Sequence, residues 1–268
     1  MIDRLRTAFW EKLVVPAFVR RGLRKRQFIP LDRAHLNVSF GYDEEEQIKR
    51  AVLRVKDNTM TSFERLASLW QQVRYLDRCE IPGSFVECGV WKGGSVGVMA
   101  LAHRATHPEP KRVLHLFDSF EGLPEPDARM DDAHSVEYAN GRGEGKLQSV
   151  GKCVGTLDQN QELLERRLEY PKNLLQYHVG WFQDTVPRDA PGLNQIALLR
   201  LDGDWYESTR VCLDHLYDKV VHGGVIVIDD YGHYEGCRRA VDEFLQKRRE
   251  PALLSHIDYT GRYWVKTT

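Results

Sequence analysis

The sequence predicts an α/β fold, with a mostly parallel sheet covered by helices on both faces and an antiparallel hairpin at its C-terminal end. Three observations support this prediction. Short apolar runs alternate with segments of helical periodicity from residue 84 onward. A glycine-rich turn joins the first of these runs to the next helix. The length of 268 residues and the hydrophobic content of 42% are enough for one large domain with elaborations.

The first elements of the alternation run from residue 61 to residue 104. Residues 61–76 have apolar side chains at helical spacing, with Thr61 or Ser62 as a candidate N-cap. Residues 84–89 then read as a strand, and residues 95–104 as a helix. This strand–turn–helix unit is the expected start of a parallel sheet.

The remaining elements follow in the same order. The predicted strands are 113–117, 174–179, 196–201 and 225–228, and the predicted helices are 157–168, 206–220 and 234–249. Two short runs, 254–259 and 263–267, flank Thr260-Gly261, which is typical of a hairpin. Residues 121–153 are polar and lack periodicity, so we predict a lid or substrate loop there.

We divide the chain into an N-terminal basic and partly helical extension, residues 1–58, and a main domain, residues 59–268. Residues 1–28 carry eight Lys/Arg against two acids, with aromatic and aliphatic side chains interleaved. Such an arm can contact an anionic membrane surface weakly. Because Pro16 interrupts any long helix, packing on its own domain or on a dimer partner is the favoured interpretation.

Composition excludes several classes of protein. A formal net charge of −1 provides no overall field for nucleic acid, so we predict no nucleic-acid partner. Five cysteines without a C-x-x-C pair indicate reduced thiols in a cytoplasmic protein rather than disulfides or zinc. No apolar run approaches the roughly 20 residues of a membrane span, and no signal peptide is evident.

The glycine-rich turn predicts a nucleoside site. Gly89, Gly93 and Gly94 follow a strand and open a helix, where backbone N–H groups can receive a ligand. Trp91 occupies the position where a dinucleotide site needs its second glycine, which argues against a pyrophosphate. Glu87 beside the turn suits a cationic ligand. S-adenosylmethionine has an ammonium, a sulfonium and no phosphate, so it fits this pattern.

Asp118 ends the second predicted strand of the alternation. An acid at this position can accept hydrogen bonds from both ribose hydroxyls. The alternative interpretation is a capping or surface residue in the Asp118-Ser119-Phe120 turn.

Two acid pairs follow two apolar strands: Asp202 with Asp204, and Asp229 with Asp230. If the strands are adjacent, they lie about 4.8 Å apart and the carboxylates converge. A hard cation such as Mg²⁺ would relieve their repulsion, and the lack of His or Cys in these motifs disfavours zinc. The alternative is that these acids only cap the helices that follow.

These motifs resemble the macrocin O-methyltransferase (TylF-like) family of metal-dependent sugar methyltransferases. The resemblance runs from about Thr59 to Phe244 and rests on four segments: 85–95, 117–124, 202–209 and 229–231. It implies a class I methyltransferase (Rossmann-like) sheet of seven strands, which agrees with the C-terminal hairpin. It also implies S-adenosylmethionine and Mg²⁺ as cofactors and a hydroxyl of a sugar or glycosylated natural product as acceptor. We also expect a homo-oligomer.

The resemblance further implies the roles of individual residues. Asp202, Asp229 and Asp230 would hold Mg²⁺, and Asp204 would be the general base. The implied cofactor-binding residues are Thr59, Met60, Glu87, Gly89, Val90, Trp91, Gly93, Ser95, Asp118, Ser119, Phe120, Trp181 and Phe182. His178, His222 and His233 are rival bases, of which His222 is expected at the opposite strand end.

Three other functions are alternatives to a sugar O-methyltransferase. A catechol-type O-methyltransferase would use the same acids, because catechols and sugar diols both offer two adjacent oxygens. A nicotinamide dehydrogenase is disfavoured by Trp91. A non-catalytic membrane-associated partner protein would use residues 1–28.

Overall fold

The computed structural model describes Ser39 and residues 41–267, which contain one seven-stranded sheet. The strands are β1 (Ser84–Cys88), β2 (Leu114–Asp118), β3 (Leu175–Val179), β4 (Ile196–Leu201), β5 (Val220–Ile228), β6 (Ser255–His256) and β7 (Arg262–Val265). Their order in the sheet is β3-β2-β1-β4-β5-β7-β6. Strands β1 to β5 are parallel, whereas β7 pairs antiparallel with β5 and with β6. The predicted mostly parallel sheet with a C-terminal hairpin is confirmed.

The described α-helices occupy the connections between the strands. They are α1 (Glu45–Val55), α2 (Phe63–Arg78), α3 (Gly94–Thr106), α4 (Ala133–Tyr138), α5 (Leu157–Gln161), α6 (Phe182–Asp189), α7 (Tyr206–Leu216) and α8 (Glu235–Arg248). A π-helical segment, Glu162–Arg167, continues α5. Short 3₁₀ turns occupy Lys56–Asn58, Lys172–Leu174, Ala190–Gly192 and Tyr217–Lys219.

Both faces of the sheet are buried, as the near-continuous apolar strands predict. One core cluster joins the sheet to α1, α2, α3 and the π-helical segment, and a second joins it to α6, α7 and α8. Phe85 belongs to the first cluster and its neighbour Val86 to the second. Successive strand residues point to opposite faces, so the two clusters are the two layers beside the sheet.

The structure differs from the predicted elements at three places. Strand β5 begins at Val220 rather than at residue 225, because the chain passes Gly223-Gly224 as a bulge within the strand, with Gly223 at φ +78° and a shift of register against β4. Helix α6 was not predicted, since Pro187 lies inside it and normally ends a helix. Residues 121–153 contain the short helix α4 and a bridge between Asp127 and Glu144, so the lid is a folded segment.

The N-terminal part of the described chain packs against the main domain. Ile48, Ala51, Val52 and Val55 of α1 are buried in the core cluster that includes α2 and α3. The division of the chain after residue 58 stays a prediction. The basic segment 1–28 lies outside the described residues.

No helix among residues 39 and 41–267 is both long and apolar enough to cross a membrane.

Candidate active site

A cavity of about 950 Å³ lies at the carboxyl ends of the parallel strands. The chain runs outward from β1 in both directions, to β2 and β3 on one side and to β4 and β5 on the other. Ligands bind in α/β sheets at this reversal of strand order. The predicted site residues that line the cavity are Thr59, Met60, Glu87, Gly89, Val90, Trp91, Ser95, Asp118, Ser119, Trp181, Phe182, Asp202, Asp204, Asp229 and Asp230.

Two predicted cofactor residues, Gly93 and Phe120, are not among the residues lining this cavity. Gly93 is the N-cap of α3 with φ +83°, and a Cβ there would lie 2.6 Å from Oδ1 of Asn160. Phe120 is 7% exposed and packs in the core. Contact of these two residues with a cofactor stays a prediction.

Gly89 is required by the close approach of two chain segments. Its φ is +91°, and a Cβ would lie 1.8 Å from the carbonyl oxygen of Asp202. The Asp202 N–H donates to the Cys88 carbonyl at 2.8 Å, so β1 and β4 hold the two segments together. The glycine turn is therefore in contact with the first acid pair.

Asp118 supports the glycine turn from behind. Its Oδ2 accepts from the N–H groups of Val90 and Trp91 at 2.8 and 3.1 Å, and its Oδ1 accepts from the Phe120 N–H at 2.7 Å. The alternative interpretation of Asp118 as a turn residue is therefore realised, and the carboxylate also lines the cavity. A ribose contact stays a prediction. The bonds to the turn are compatible with it, because each carboxylate oxygen has more than one lone pair.

Two asparagines that the sequence reasoning missed also hold this turn. Asn160 Nδ2 donates to the Trp91 carbonyl at 2.7 Å, and Asn58 Nδ2 donates to the Lys92 carbonyl at 3.0 Å. Trp91 has a left-handed backbone with φ +47°, which is uncommon for a bulky residue and needs such support. No motif signals these contacts, since Asn160 lies about 70 residues away along the chain.

Glu87 is a buried acid with one oxygen available to a ligand. Oε1 pairs with the guanidinium of Arg200, while Oε2 has no hydrogen-bond partner among the described residues. Burial raises the pKa of Glu87 to about 8. A buried carboxylate oxygen without a donor is costly, and a cationic ligand in the cavity would supply the missing donor.

Three carboxylates converge beside the glycine turn. Asp202, Asp204 and Asp230 each offer an oxygen, and these oxygens lie within 4.8 Å of one another. Strands β4 and β5 are adjacent, with Leu201 opposite Ile228, so the two acid pairs meet as predicted. Burial and the neighbouring carboxylates raise the pKa of Asp202 to about 6 and those of Asp204 and Asp230 well above the usual range.

Asp229, predicted as a metal ligand, is not a member of this three-carboxylate cluster. Its Oδ1 pairs with Arg200 and its Oδ2 pairs with Arg65, both of which are buried. The cluster of acids in the structure is therefore Asp202, Asp204 and Asp230 rather than Asp202, Asp229 and Asp230. Both arginines were missed, although an Arg inside the apolar run 196–201 is a visible signal.

The acid pairs do not cap the helices that follow them. Neither Trp205, the N-cap of α7, nor Tyr234, the N-cap of α8, has a side-chain capping bond. The N–H of Tyr206 instead donates to Asp131 and the N–H of Glu235 donates to Asp132, each at 2.8 Å. The capping interpretation of the acid pairs is therefore wrong, and their carboxylates face the cavity.

Only one of the three rival histidine bases, His233, lines this cavity. Nδ1 of His178 lies 2.8 Å from Asp189, and its ring stacks on Phe117 with centroids 3.9 Å apart. His222 lies near the start of β5, at the opposite end of the strand from Asp229, as expected.

The wall facing the acids comes from the lid and from the start of α8. Its residues were not predicted: His134, Tyr138, Cys153 and Tyr234 line the cavity. The His134 and Tyr234 rings stack with centroids 5.7 Å apart, and the Tyr138 hydroxyl lies 3.6 Å from Sγ of Cys153.

Comparison with known proteins supports the family resemblance that the motifs indicate. A family model described as Macrocin-O-methyltransferase (TylF) matches residues 27–266, which extends the resemblance beyond the motifs in both directions. The demethyldecarbamoylnovobiocin O-methyltransferase of Streptomyces niveus is 36% identical over 211 residues, covering 78% of this chain and 76% of that protein. The mycinamicin III 3''-O-methyltransferase of Micromonospora griseorubida is 31% identical, covering 78% of this chain and 79% of that protein.

Solved structures agree with the fold. The O-methyltransferase NovP superposes with a TM-score of 0.67 at 30% identity, covering 79% of this chain and 83% of that one. The calicheamicin methyltransferase CalS11 has a TM-score of 0.57 at 19% identity, covering 85% of this chain and 94% of that one. The class I methyltransferase (Rossmann-like) sheet implied by the resemblance is confirmed.

Proposed function

The chain belongs to the macrocin O-methyltransferase (TylF) family, and from that premise we propose that it transfers a methyl group from S-adenosylmethionine to a hydroxyl on the sugar of a glycosylated natural product. The observation that carries this proposal is the arrangement of one cavity. Converging carboxylates and the unpaired oxygen of Glu87 line the same cavity beside the glycine turn, and Nη1 of Arg200 bonds both Glu87 and Asp202.

The glycine-turn side of the cavity suits S-adenosylmethionine. Trp91 occupies the position of the turn where a dinucleotide site has a glycine. Its bulk argues against a pyrophosphate, which would need to approach the backbone closely there. Oε2 of Glu87 is an acceptor for the ammonium of the cofactor. Thr59, Met60, Ser119, Trp181 and Phe182 line the same cavity and are proposed to flank the rest of the molecule.

The acid side of the cavity fits Mg²⁺. Its donors are all carboxylate oxygens, the ligand type that Mg²⁺ prefers. The pKa values of Asp202, Asp204 and Asp230 are all raised, so the cluster carries repulsion that a cation would relieve. Asp202 and Asp230, which belong to both the predicted and the observed groups, are the ligands that we propose. Asp229 as a third ligand stays a prediction.

Bound Mg²⁺ would supply Lewis-acid polarisation, which lowers the pKa of an acceptor hydroxyl. We assign the base to Asp204, which lies within this cluster and carries no side-chain capping duty. Its carboxylate would accept the hydroxyl proton as the oxygen attacks the methyl carbon. The carbon–sulfur bond breaks, and its electron pair stays on sulfur in neutral S-adenosylhomocysteine. Holding both substrates in one cavity contributes roughly 7–11 kcal/mol to such a reaction.

Three further expectations from the sequence remain predictions. These are a cytoplasmic location, a homo-oligomeric state, and a weak membrane-surface contact through residues 1–28. The sugar or glycoside acceptor is the partner that the family membership supports.

Methyl-transfer assays on a panel of glycosides, with catechols as a second panel, test the proposal. We expect labelled methyl groups on a glycoside, loss of transfer in EDTA, and recovery when Mg²⁺ is added in excess. Transfer to catechols alone would contradict the sugar acceptor, and undiminished transfer in EDTA would contradict the metal. Calorimetric Mg²⁺ titration of Asp230→Asn and Asp229→Asn then separates a ligand from an arginine-paired neighbour.

A further inference from the structure

Two adjacent carboxylates hold the lid, residues 121–153, against the two acid motifs. Oδ1 of Asp131 accepts from the N–H of Tyr206, the first residue of α7. Oδ2 of Asp132 accepts from the N–H of Glu235, the first residue of α8. Only Trp205 separates Asp204 from helix α7, so Asp131 ties the lid to the chain directly after the acid motif.

The contact is close and has a second anchor. A Cβ on Gly236 would lie 1.9 Å from Oδ1 of Asp131, so a side chain there would displace the lid. Trp205 Nε1 also donates to the Pro124 carbonyl at 2.9 Å. Carboxylates at helix N-termini are favoured by the exposed N–H groups and by the helix dipole, so these bonds stabilise the docked lid.

The docked lid positions α4 over the carboxylate cluster. Asp132 is also the N-cap of α4, because its Oδ1 accepts from the Ser135 N–H at 2.8 Å. Helix α4 places His134 and Tyr138 on the cavity. The ring of His134 packs against both Tyr234 and His233, with centroid distances of 5.7 and 5.3 Å.

We propose that Asp131 and Asp132 are positioning residues that hold α4 as one wall of the acceptor subsite. His134 and Tyr138 of that wall contact the sugar ring of a glycoside whose hydroxyl faces Asp204. Aromatic and imidazole rings pack against the C–H face of a sugar, and their polar atoms bond its hydroxyls. This inference rests on the proposed function and assigns the side of the cavity that the cofactor does not use.

Asp132→Ser separates docking from helix capping. Serine keeps an N-cap for α4 but is too short to reach the Glu235 N–H as well, whereas Asp132→Ala loses both bonds. With p-nitrophenyl α-L-rhamnopyranoside as the acceptor, we expect Asp132→Ser to raise the acceptor KM about tenfold, the order expected for one charged hydrogen bond. The KM for S-adenosylmethionine should change less than twofold.

Glu137→Gln is the matched control, because Glu137 is exposed on α4 and is not among the residues lining the cavity. It should leave both KM values unchanged. An unchanged acceptor KM in Asp132→Ser would overturn the proposal. An equal rise in both KM values would also overturn it, since the carboxylate would then serve folding alone.

Hydrogen exchange gives a readout that needs no acceptor. In Asp131→Ala and Asp132→Ser we expect faster exchange at the Tyr206 and Glu235 amides, respectively, and across α4, with the β4 amides unchanged. Unchanged exchange at those two amides would contradict the docking of the lid by these carboxylates. If the wild-type protein methylates no glycoside, the proposed function fails, and the exchange result still decides whether these carboxylates dock the lid.

Discussion

Asp204 combines an unusual backbone with an unusual electrostatic setting. Its φ is +57°, a left-handed conformation that Asp and Asn adopt more readily than other residues with a side chain. Its N–H lies 3.2 Å from Oδ2 of Asp230, so the turn brings the two acid motifs together. Burial and the charges of Asp202 and Asp229 raise the pKa of Asp204 well above its usual range. A group that readily takes up a proton is suited to act as a base.

Asp204→Asn tests this assignment. Asparagine has the same shape and tolerates the left-handed backbone, but it cannot take the proton. We expect kcat to fall about 10²–10⁴-fold, with the calorimetric Kd for S-adenosylhomocysteine unchanged. Asp158→Asn, an exposed acid on α5, is the control and should match the wild type. Undiminished turnover in Asp204→Asn would remove this residue from the base role.

At the scale of elements, α5 and the glycine turn form one supporting unit. Asn160 on α5 is fully buried and donates to the carbonyls of Trp91 and Thr156, at 2.7 and 3.0 Å. Gly155, just before α5, packs so closely that a Cβ would lie 2.2 Å from the Trp91 carbonyl oxygen. The left-handed conformation of Trp91 is therefore held by a helix that contributes nothing to the cavity lining itself.

Asn160→Ala should weaken cofactor binding without touching the cofactor. The Trp91 carbonyl loses this donor, and a change of about 1–3 kcal/mol is expected for such a loss, whereas the Thr156 carbonyl keeps the backbone N–H of residue 160 at 3.3 Å. A loss of about 1.4 kcal/mol in the free energy of cofactor binding corresponds to a tenfold rise in the Kd for S-adenosylhomocysteine, and this is the rise that we expect. Asp158→Ala on the same helix should leave that Kd unchanged. Equal affinities for both variants would show that the turn holds its shape without Asn160.

At the scale of the whole molecule, the buried groups Glu87 and His115 make the free energy of unfolding depend on pH. The pKa of Glu87 is raised to about 8, so the folded protein retains a proton there that the unfolded chain releases near pH 4.5. Stability from this group is therefore present at low pH and is lost as the pH rises toward 8. Burial lowers the pKa of His115 to about 4, and that group makes stability rise with pH only up to about 6.5.

The pKa shifts of Glu87 and His115 together predict a pH range in which the thermal stability falls as pH rises. Between pH 6.5 and 8, the Tm of the ligand-free protein should fall as pH rises, because His115 no longer opposes Glu87. Mg²⁺ and S-adenosylmethionine compete with protons for these carboxylates, so together they should raise the Tm more at pH 8 than at pH 6.5. Calorimetry measures both, and Glu87→Gln should make the fall of Tm with pH shallower, while the raised pKa values of Asp204 and Asp230 maintain part of it. A Tm that rises across this window would contradict the assignment.

Much of the fold could be predicted from the amino-acid sequence, because apolar periodicity and turn chemistry are local properties. The alternation of strands and helices, the glycine turn after β1, and the acids that follow β4 and β5 could all be read from neighbouring residues. Family motifs added the chemistry. Gly223-Gly224 and Pro187 misled, because tertiary pairing and packing outweighed their local preferences for a turn and a helix end.

The partner of each functional side chain could be identified only from the three-dimensional packing. Asp229 faces Arg65 and Arg200, Asp118 supports the glycine turn, and the lid carboxylates Asp131 and Asp132 cap α7 and α8. These pairs lie between 27 and 164 residues apart along the chain. Such contacts depend on how helices and strands pack in three dimensions, and no local pattern of residues encodes that packing.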